Sequence, residues 1–455
     1  MTTKNKHIHF IGIGGYGMSA IARVLVDMGY KVSGSDVARK ELTDKLVSRG
    51  ATVYIGHQSE NVSGADVVVY STDIPKDNVE LLEAQNLNIP LIHRSQMLAR
   101  ILNERSGIAV SGAHGKTTTS SMISLIMEKA GADPTYIIGG EIMDIGSNAR
   151  AGKGPYVVAE ADESDGSFLQ YHPEMAVVTN IEPDHLENYD GNFENLKKAY
   201  REFLANIKEN GLAIACLDDE YLGEMLSDLK CRYITYGLQS VADYTADNIV
   251  YGDRSVTFTV KRKGETLGEM SLSVPGRHNV LNALASTIVC LEAGISFEAI
   301  VQAIQLFRGA KRRFQVIGEV KDVLVVDDYA HHPTEIEATL QAAKSTNRRI
   351  IAVFQPQRYT RTYFLLDAFS RAFKEASKVV IADIYSPAND KRMDVTAGKL
   401  VDLIKENSNE NAIYMPTKDD VFAHLVEVVQ PGDLVITMGA GDIWKVAEKL
   451  VDYLG

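Results

Sequence analysis

A chain of 455 residues is, at about 150 residues per domain, long enough for roughly three domains that each bury their own core. Its 47 Lys and Arg against 60 Asp and Glu give a net charge of −13, which argues against non-specific adhesion to nucleic acid or to an anionic lipid surface. A composition of 45% hydrophobic and 24% charged residues is that of a folded globular protein, and Cys216, Cys231 and Cys290, odd in number and without metal-type spacing, argue against a disulfide framework or a zinc site. The opening stretch MTTKNKHIHF has no apolar core, and no run reaches the roughly 18 apolar residues that span a bilayer, so a cytoplasmic location is expected.

Short β-branched runs that end in Gly, Ser or Asp alternate with helical stretches, the pattern of βαβ units on parallel sheets. In the first hundred residues, strands are expected near His7–Ile13, Lys31–Gly34 and Val67–Tyr70, with a helix after Gly17. A second unit opens with the strand Ser106–Gly112 and the helix Lys116–Ala130, and continues through PYVVAEAD, MAVVTNI and GLAIACLD. Residues 244–275 alternate apolar and polar positions around Arg262–Gly264 and predict an antiparallel excursion. After the helix NVLNALASTIVCLEA the βα alternation restarts near Arg312, through DVLVVDDY, RRIIAVFQP, KVVIADIY, NAIYMP and DLVITMGAG. The expected fold is α/β in three domains, residues 1–104, 105–311 and 312–455, each on a largely parallel sheet. The first and last are Rossmann-like and the middle one resembles a P-loop ATPase.

The middle unit carries the strongest chemical signal. Gly112, Ala113, His114, Gly115, Lys116, Thr117 and Thr118 lie between a buried strand and a helix. Backbone N–H groups in such a turn cradle phosphate, the lysine neutralises the terminal phosphates, and the Thr117 hydroxyl reaches Mg²⁺. Val110 stands where a strict phosphate loop has its first glycine. A carboxylate at a neighbouring strand end is expected to hold the metal; AEADESD offers Glu160, Asp162, Glu163 and Asp165, and the next strand ends in Glu182, Pro183, Asp184 and His185.

Near the N-terminus, Gly12-x-Gly14-x-x-Gly17, with Gly15 inside it and Asp36 ending the second strand, forms a diphosphate fingerprint. Taken alone it fits a dehydrogenase, but the geometry accepts any pyrophosphate, that of a UDP-sugar included. The third unit places DDYAHHP, FQPQRYTRT with Arg358 and Arg361, and Met438–Asp442 after strands of one sheet, where they offer cations and backbone donors to an anionic ligand.

GIGGYGMSAIA with SGSD, SGAHGKTTT, AEADESD, TNIEPDH, GRHNVLNALA, RRF, DDYAHHPTE, FQPQRYTRT and MGAGDI, in this order, resemble the Mur ligase family over all three domains. The resemblance is to the branch that adds L-alanine to UDP-N-acetylmuramate; a sister branch that attaches a ready-made tripeptide to the same acceptor has similar motifs. It implies an ATP-dependent amide ligase of peptidoglycan synthesis, with Mg²⁺ or Mn²⁺, and so a part in cell-wall growth, cell shape and division. It assigns Gly12, Gly14, Gly15, Gly17, Ser35, Asp36, Ser71, His93 and Arg94 to the UDP-sugar, Thr117 and Glu160 to one Mg²⁺, and His185 to a second metal position. Gly112–Thr118, His278, Asn279, Asn282, Arg313 and Asp328 go to ATP; by their own placement after the strand RRIIAVF, Arg358 and Arg361 are candidates for the carboxylate of the incoming amino acid, with phosphate or plain surface as the alternatives, and proximity in sequence alone makes His331 or His332 a candidate for proton removal. The catalytic set so implied is Lys116, His185, Arg313, Asp328 and His331.

Overall fold

The computed structural model describes residues 6–386, 390 and 393–455; residues 1–5, the start of the polar N-terminal stretch, lie outside the described residues. The chain forms three α/β domains, each on a largely parallel sheet. The first sheet runs in the order Thr52–Ile55, Lys31–Asp36, His7–Ile11, Val67–Tyr70, Leu91–His93, with every pair parallel. The chain builds outward from His7–Ile11 in one direction and then returns to its other side. The reversal leaves a crevice at the C-terminal end of that strand, where open α/β sheets bind ligands.

The second sheet has ten strands. Its centre is a parallel set in the order Leu212–Cys216, Met175–Val178, Ser106–Ser111, Tyr156–Glu160, Thr135–Ile142. The registers set Val178 beside Ser111 and Glu160 beside Val110, so three adjacent strands end at one level. The helix Lys116–Lys129 is buried from Thr117 to Met127. Ser120 Oγ meets burial by bonding back to the helix itself, donating to the Lys116 carbonyl at 2.8 Å. The turn expected at Arg262–Gly264 is Lys263–Gly264, both left-handed (φ 50° and 84°), between strands Val256–Arg262 and Glu265–Leu272.

The third sheet runs Gln315–Val320, Val323–Asp328, Asp433–Met438, Arg349–Phe354, Lys378–Ile381, Ala412–Tyr414. All neighbours are parallel except the first pair. Leu340, Phe354, Phe369 and Ile404 fill one face and Val353, Val435, Ile443 and Leu450 the other, which is why these strands read as continuous apolar runs. The antiparallel edge strand is absent from the sequence reading. It joins its partner through Lys321–Asp322, a left-handed pair (φ 49° and 61°) without the Asn or Gly that marks such a turn.

One compact unit extends to Asp247 and takes in Val260–Gly268 and Leu281–Ile304, and the other holds Asn248–Thr259, Glu269–Val280 and Gln305–Gly455. Among the described residues no helix is long and apolar enough to cross a membrane.

Candidate active site

The phosphate loop leaves the strand Ser106–Ser111 and enters the helix at Lys116. Gly115 is left-handed (φ +84°), and a Cβ there would sit 2.7 Å from Asn282 Oδ1. Only glycine serves at such a position. The loop is pinned from beside it, with Ala113 N donating to the Asn180 carbonyl at 3.1 Å and His114 N to Asn180 Oδ1 at 2.9 Å. Asn282 Oδ1 also accepts from Thr119 Oγ1 at 3.2 Å, so this asparagine packs against the loop.

Lys116 Nζ lies 2.8 Å from a Glu163 carboxylate oxygen and donates also to the Gly112 carbonyl. Burial opposes its charge, but Glu163, Asp162 and Glu160 together hold its pKa above the ordinary lysine value. Glu163, one of four acidic residues in AEADESD, is thereby singled out; nothing in the spacing distinguished it. Glu160 Oε1 accepts from Gly139 N at 2.6 Å and from Ser120 Oγ at 3.4 Å, which fixes this carboxylate beside the helix start. His185 is left-handed (φ 54°), and its ring lies 3.5 Å from Asp184 and 3.8 Å from Glu187 carboxylate oxygens. Thr117 stands at the helix start after one strand, Glu160 ends the neighbouring strand and His185 lies in the loop after a third; the hydroxyl and carboxylate are oxygen donors that suit Mg²⁺ or Mn²⁺, and the imidazole offers a nitrogen donor to a second metal position.

In the first domain a cavity of about 480 Å³ is lined by Gly12, Gly15, Gly17, Asp36, Ser71 and Arg94, with Lys40 and His57 beside them. No side chain caps the helix Tyr16–Asp27 at Gly15, so its N-terminal dipole is directed at the cavity. Gly14 N donates to Asp36 Oδ2 at 2.9 Å, and a Cβ on Gly14 would meet that oxygen at 2.7 Å. Lys40 Nζ holds the other oxygen at 3.0 Å. Asp36 therefore braces the glycine loop, whereas a dinucleotide site uses this acid for ribose. Three assigned residues stand apart from the cavity wall, Gly14 being the first. Ser35 is fully buried and bonded to His57 and Glu80, and His93 caps the helix Arg94–Asn103.

In the other compact unit, Asp328 ends its strand by accepting from Phe314 N at 2.8 Å and Ala330 N at 2.7 Å. Arg313 meets Glu335 at 3.3 Å and lies over the Tyr329 ring. Its neighbour Arg312 is structural: it binds Asp327 at 2.8 Å and the carbonyls of Gly439 and Gly441. His278 is buried, and burial with the nearby Arg313 charge pushes its imidazole down to about 4, so it is neutral at physiological pH. Asn279 donates to the Pro275 carbonyl at 2.6 Å. His331 Nδ1 is 2.9 Å from the Tyr329 carbonyl. Arg361 is buried against Gln357 at 2.8 Å, whereas Arg358, left-handed at φ 67°, is half-buried.

Residues 7–106 match the Mur ligase family catalytic domain, residues 110–290 the Mur ligase middle domain and residues 312–441 the glutamate ligase domain of Mur ligases. The chain belongs to the Mur ligase family. It is 49% identical over 453 residues to the UDP-N-acetylmuramate–L-alanine ligase of Pelotomaculum thermopropionicum, covering 99% of this chain and 98% of that one. Against the enzyme of the same name from Desulforamulus reducens it is 49% identical, covering 99% and 98%. Among solved structures, the UDP-N-acetylmuramate–alanine ligase of Thermotoga maritima superposes with a TM-score of 0.80 at 29% identity, covering 98% of each chain. A murein peptide ligase from Psychrobacter arcticus gives 0.70 at 25%, covering 99% of each.

Burial pushes the Asp328 carboxyl up to about 6, although Arg313 and the two backbone donors favour its ionised form. Because the carboxylate must be ionised to hold both N–H groups, activity is expected above that value and lost as pH falls through it. Wild-type kcat/KM for the nucleotide should carry an acid limb near pH 6. Asp328→Asn should be slower and flat between about pH 5 and pH 7. A limb unchanged in the variant would assign it to another group.

Proposed function

We propose that this Mur ligase joins L-alanine to the lactyl carboxylate of UDP-N-acetylmuramate with consumption of ATP, in the cytoplasmic assembly of the peptidoglycan precursor. The observation that carries the reading is the common level at which three adjacent strands end, which sets the phosphate loop, Glu160 and the TNIEPDH loop side by side. The choice of L-alanine rests on the full-length likeness to relatives bearing that activity in their names. The proposed domains are residues 1–104 for the UDP-sugar, 105–311 for ATP and 312–455 for the amino acid.

In the first step a carboxylate oxygen of the acceptor attacks the γ-phosphorus, ADP leaves, and an acyl phosphate forms. Lys116 and the backbone N–H groups of Gly112–Thr118 balance the charge on the transferred group. Thr117 and Glu160 would hold one Mg²⁺ and His185 a second metal ion, which when bound neutralise phosphate oxygens. His278, Asn279, Asn282, Arg313 and Asp328 are assigned to the nucleotide. In the second step the alanine amine attacks the acyl carbon, and the tetrahedral intermediate expels phosphate. His331 is the candidate acceptor of the amine proton.

ADP release should require both UDP-N-acetylmuramate and L-alanine. Lys116→Ala should lower turnover on the order of 10²–10³ and leave sugar-nucleotide affinity unchanged, since that ligand is assigned to another domain. Near-normal turnover in the variant contradicts the role of Lys116, and preference for a murein tripeptide over L-alanine would transfer the chain to the recycling branch.

Arg358 is the stronger of the two candidates for the alanine carboxylate, because Arg361 is turned inward. Arg358→Ala should retain hydroxamate formation from ATP, acceptor and hydroxylamine, which has no carboxylate to place, while amide synthesis with L-alanine falls. Equal loss of both would place Arg358 in phosphoryl transfer.

A further inference from the structure

The cavity of the first domain carries a histidine that the glycine pattern does not announce, and an anion lies beneath it. His57, in the loop after Thr52–Ile55, lines the cavity. Its Nδ1 is 2.9 Å from Ser35 Oγ, and Ser35 donates its hydroxyl proton to Glu80 Oε2 at 2.5 Å. A hydroxyl has one proton, so Ser35 Oγ accepts from His57 and Nδ1 is the protonated nitrogen. Nε2 is then the ring atom that can meet a ligand.

Glu80 is fully buried. Oε1 accepts from Asn61 Nδ2 at 2.7 Å and Gln58 N at 3.2 Å, and Oε2 is 3.2 Å from His9 Nε2 and 3.8 Å from His57 Nδ1. Burial opposes ionisation of Glu80, yet the hydrogen bonds from His9, Ser35 and Asn61 prevail and hold its carboxyl below the usual range. The other charged groups of the cavity are Asp36, already braced by Lys40, together with Asp73 and Arg94. His9, on the far side of Glu80, continues through Ser33 at 2.8 Å to His7.

We propose that His57 binds the diphosphate of the sugar nucleotide through Nε2–H as an imidazolium, and that Glu80, acting through Ser35, is the positioning residue that holds it there. This rests on the assignment of the cavity to a sugar nucleotide. Coulomb attraction to the anion below the ring and to the one arriving above it would hold an imidazolium in place, and forming that cation on binding takes up a proton. Ser35 then serves the ligand without touching it, which reconciles its complete burial with its assignment to this site.

Calorimetric titration of the full chain with UDP-N-acetylmuramate, in buffers of different ionisation enthalpy at about pH 7.5, reads the proton directly. Wild type should take up protons on binding, and its affinity should weaken as pH rises. His57→Asn should abolish the uptake and weaken binding about tenfold or more. Glu80→Gln, which preserves shape and removes the charge, should reduce both uptake and affinity, and Ser35→Ala provides the same test should that variant fail to fold. Absence of any binding by the wild type would overturn the reading of the cavity itself. Binding without proton uptake, or uptake that persists in His57→Asn and so belongs to His9, would overturn this proposal alone.

Discussion

The ion pair between Lys116 and Glu163 is the interaction on which the rest of the site depends. A lysine drawn into the protein beside its own loop carbonyl would lose its charge to desolvation, and a neutral amine cannot balance a phosphoryl group in transfer. Glu163 at 2.8 Å, with Asp162 and Glu160 nearby, keeps it protonated. Removal of one partner from such a buried pair typically costs about 3–5 kcal/mol, so the loop and the AEADESD segment are bound to each other energetically as well as by register. Tyr189 closes the arrangement by donating its hydroxyl to the Glu163 carbonyl.

The first domain carries a motif whose geometry does not by itself choose between diphosphate ligands. Its glycine pattern and terminal acid match a dinucleotide fingerprint, and the helix dipole behind Gly15 serves any diphosphate. Asp36, however, spends both oxygens within the protein, one on Gly14 N and one on Lys40. The cavity is completed by Ser71 and Arg94, and Arg94 lies 4.0 Å from Asp165 of the acidic segment in the middle domain.

Much of this was legible in the sequence because parallel strands buried on both faces leave long apolar runs that stop where the candidate site residues begin. Val323–Asp328 and Asp433–Met438 are of this kind. What escaped the sequence follows from the same physics. The edge strand Gln315–Val320 alternates weakly and enters through a turn without glycine. Glu163 cannot be told from Asp162 or Asp165 by spacing, since only the approach of Lys116 selects it. Ser35 and His57 are 22 residues apart and meet only across strand ends. Arg312 and Arg313, adjacent and alike in sequence and both over the Tyr329 ring, divide into a structural clamp and a candidate contact only through the partners the fold brings to each: Asp327 with the Gly439 and Gly441 carbonyls for the first, Glu335 for the second.

The central claim is that the acceptor carboxylate is phosphorylated before the amine attacks. Its most direct test is to supply UDP-N-acetylmuramate with both lactyl carboxylate oxygens labelled with oxygen-18, together with ATP and L-alanine, and to analyse the released phosphate by mass spectrometry. The account predicts one labelled oxygen in each phosphate and the other in the new amide carbonyl. Phosphate released without label while amide accumulates would contradict it, because no bond between the carboxylate and phosphorus would then have formed.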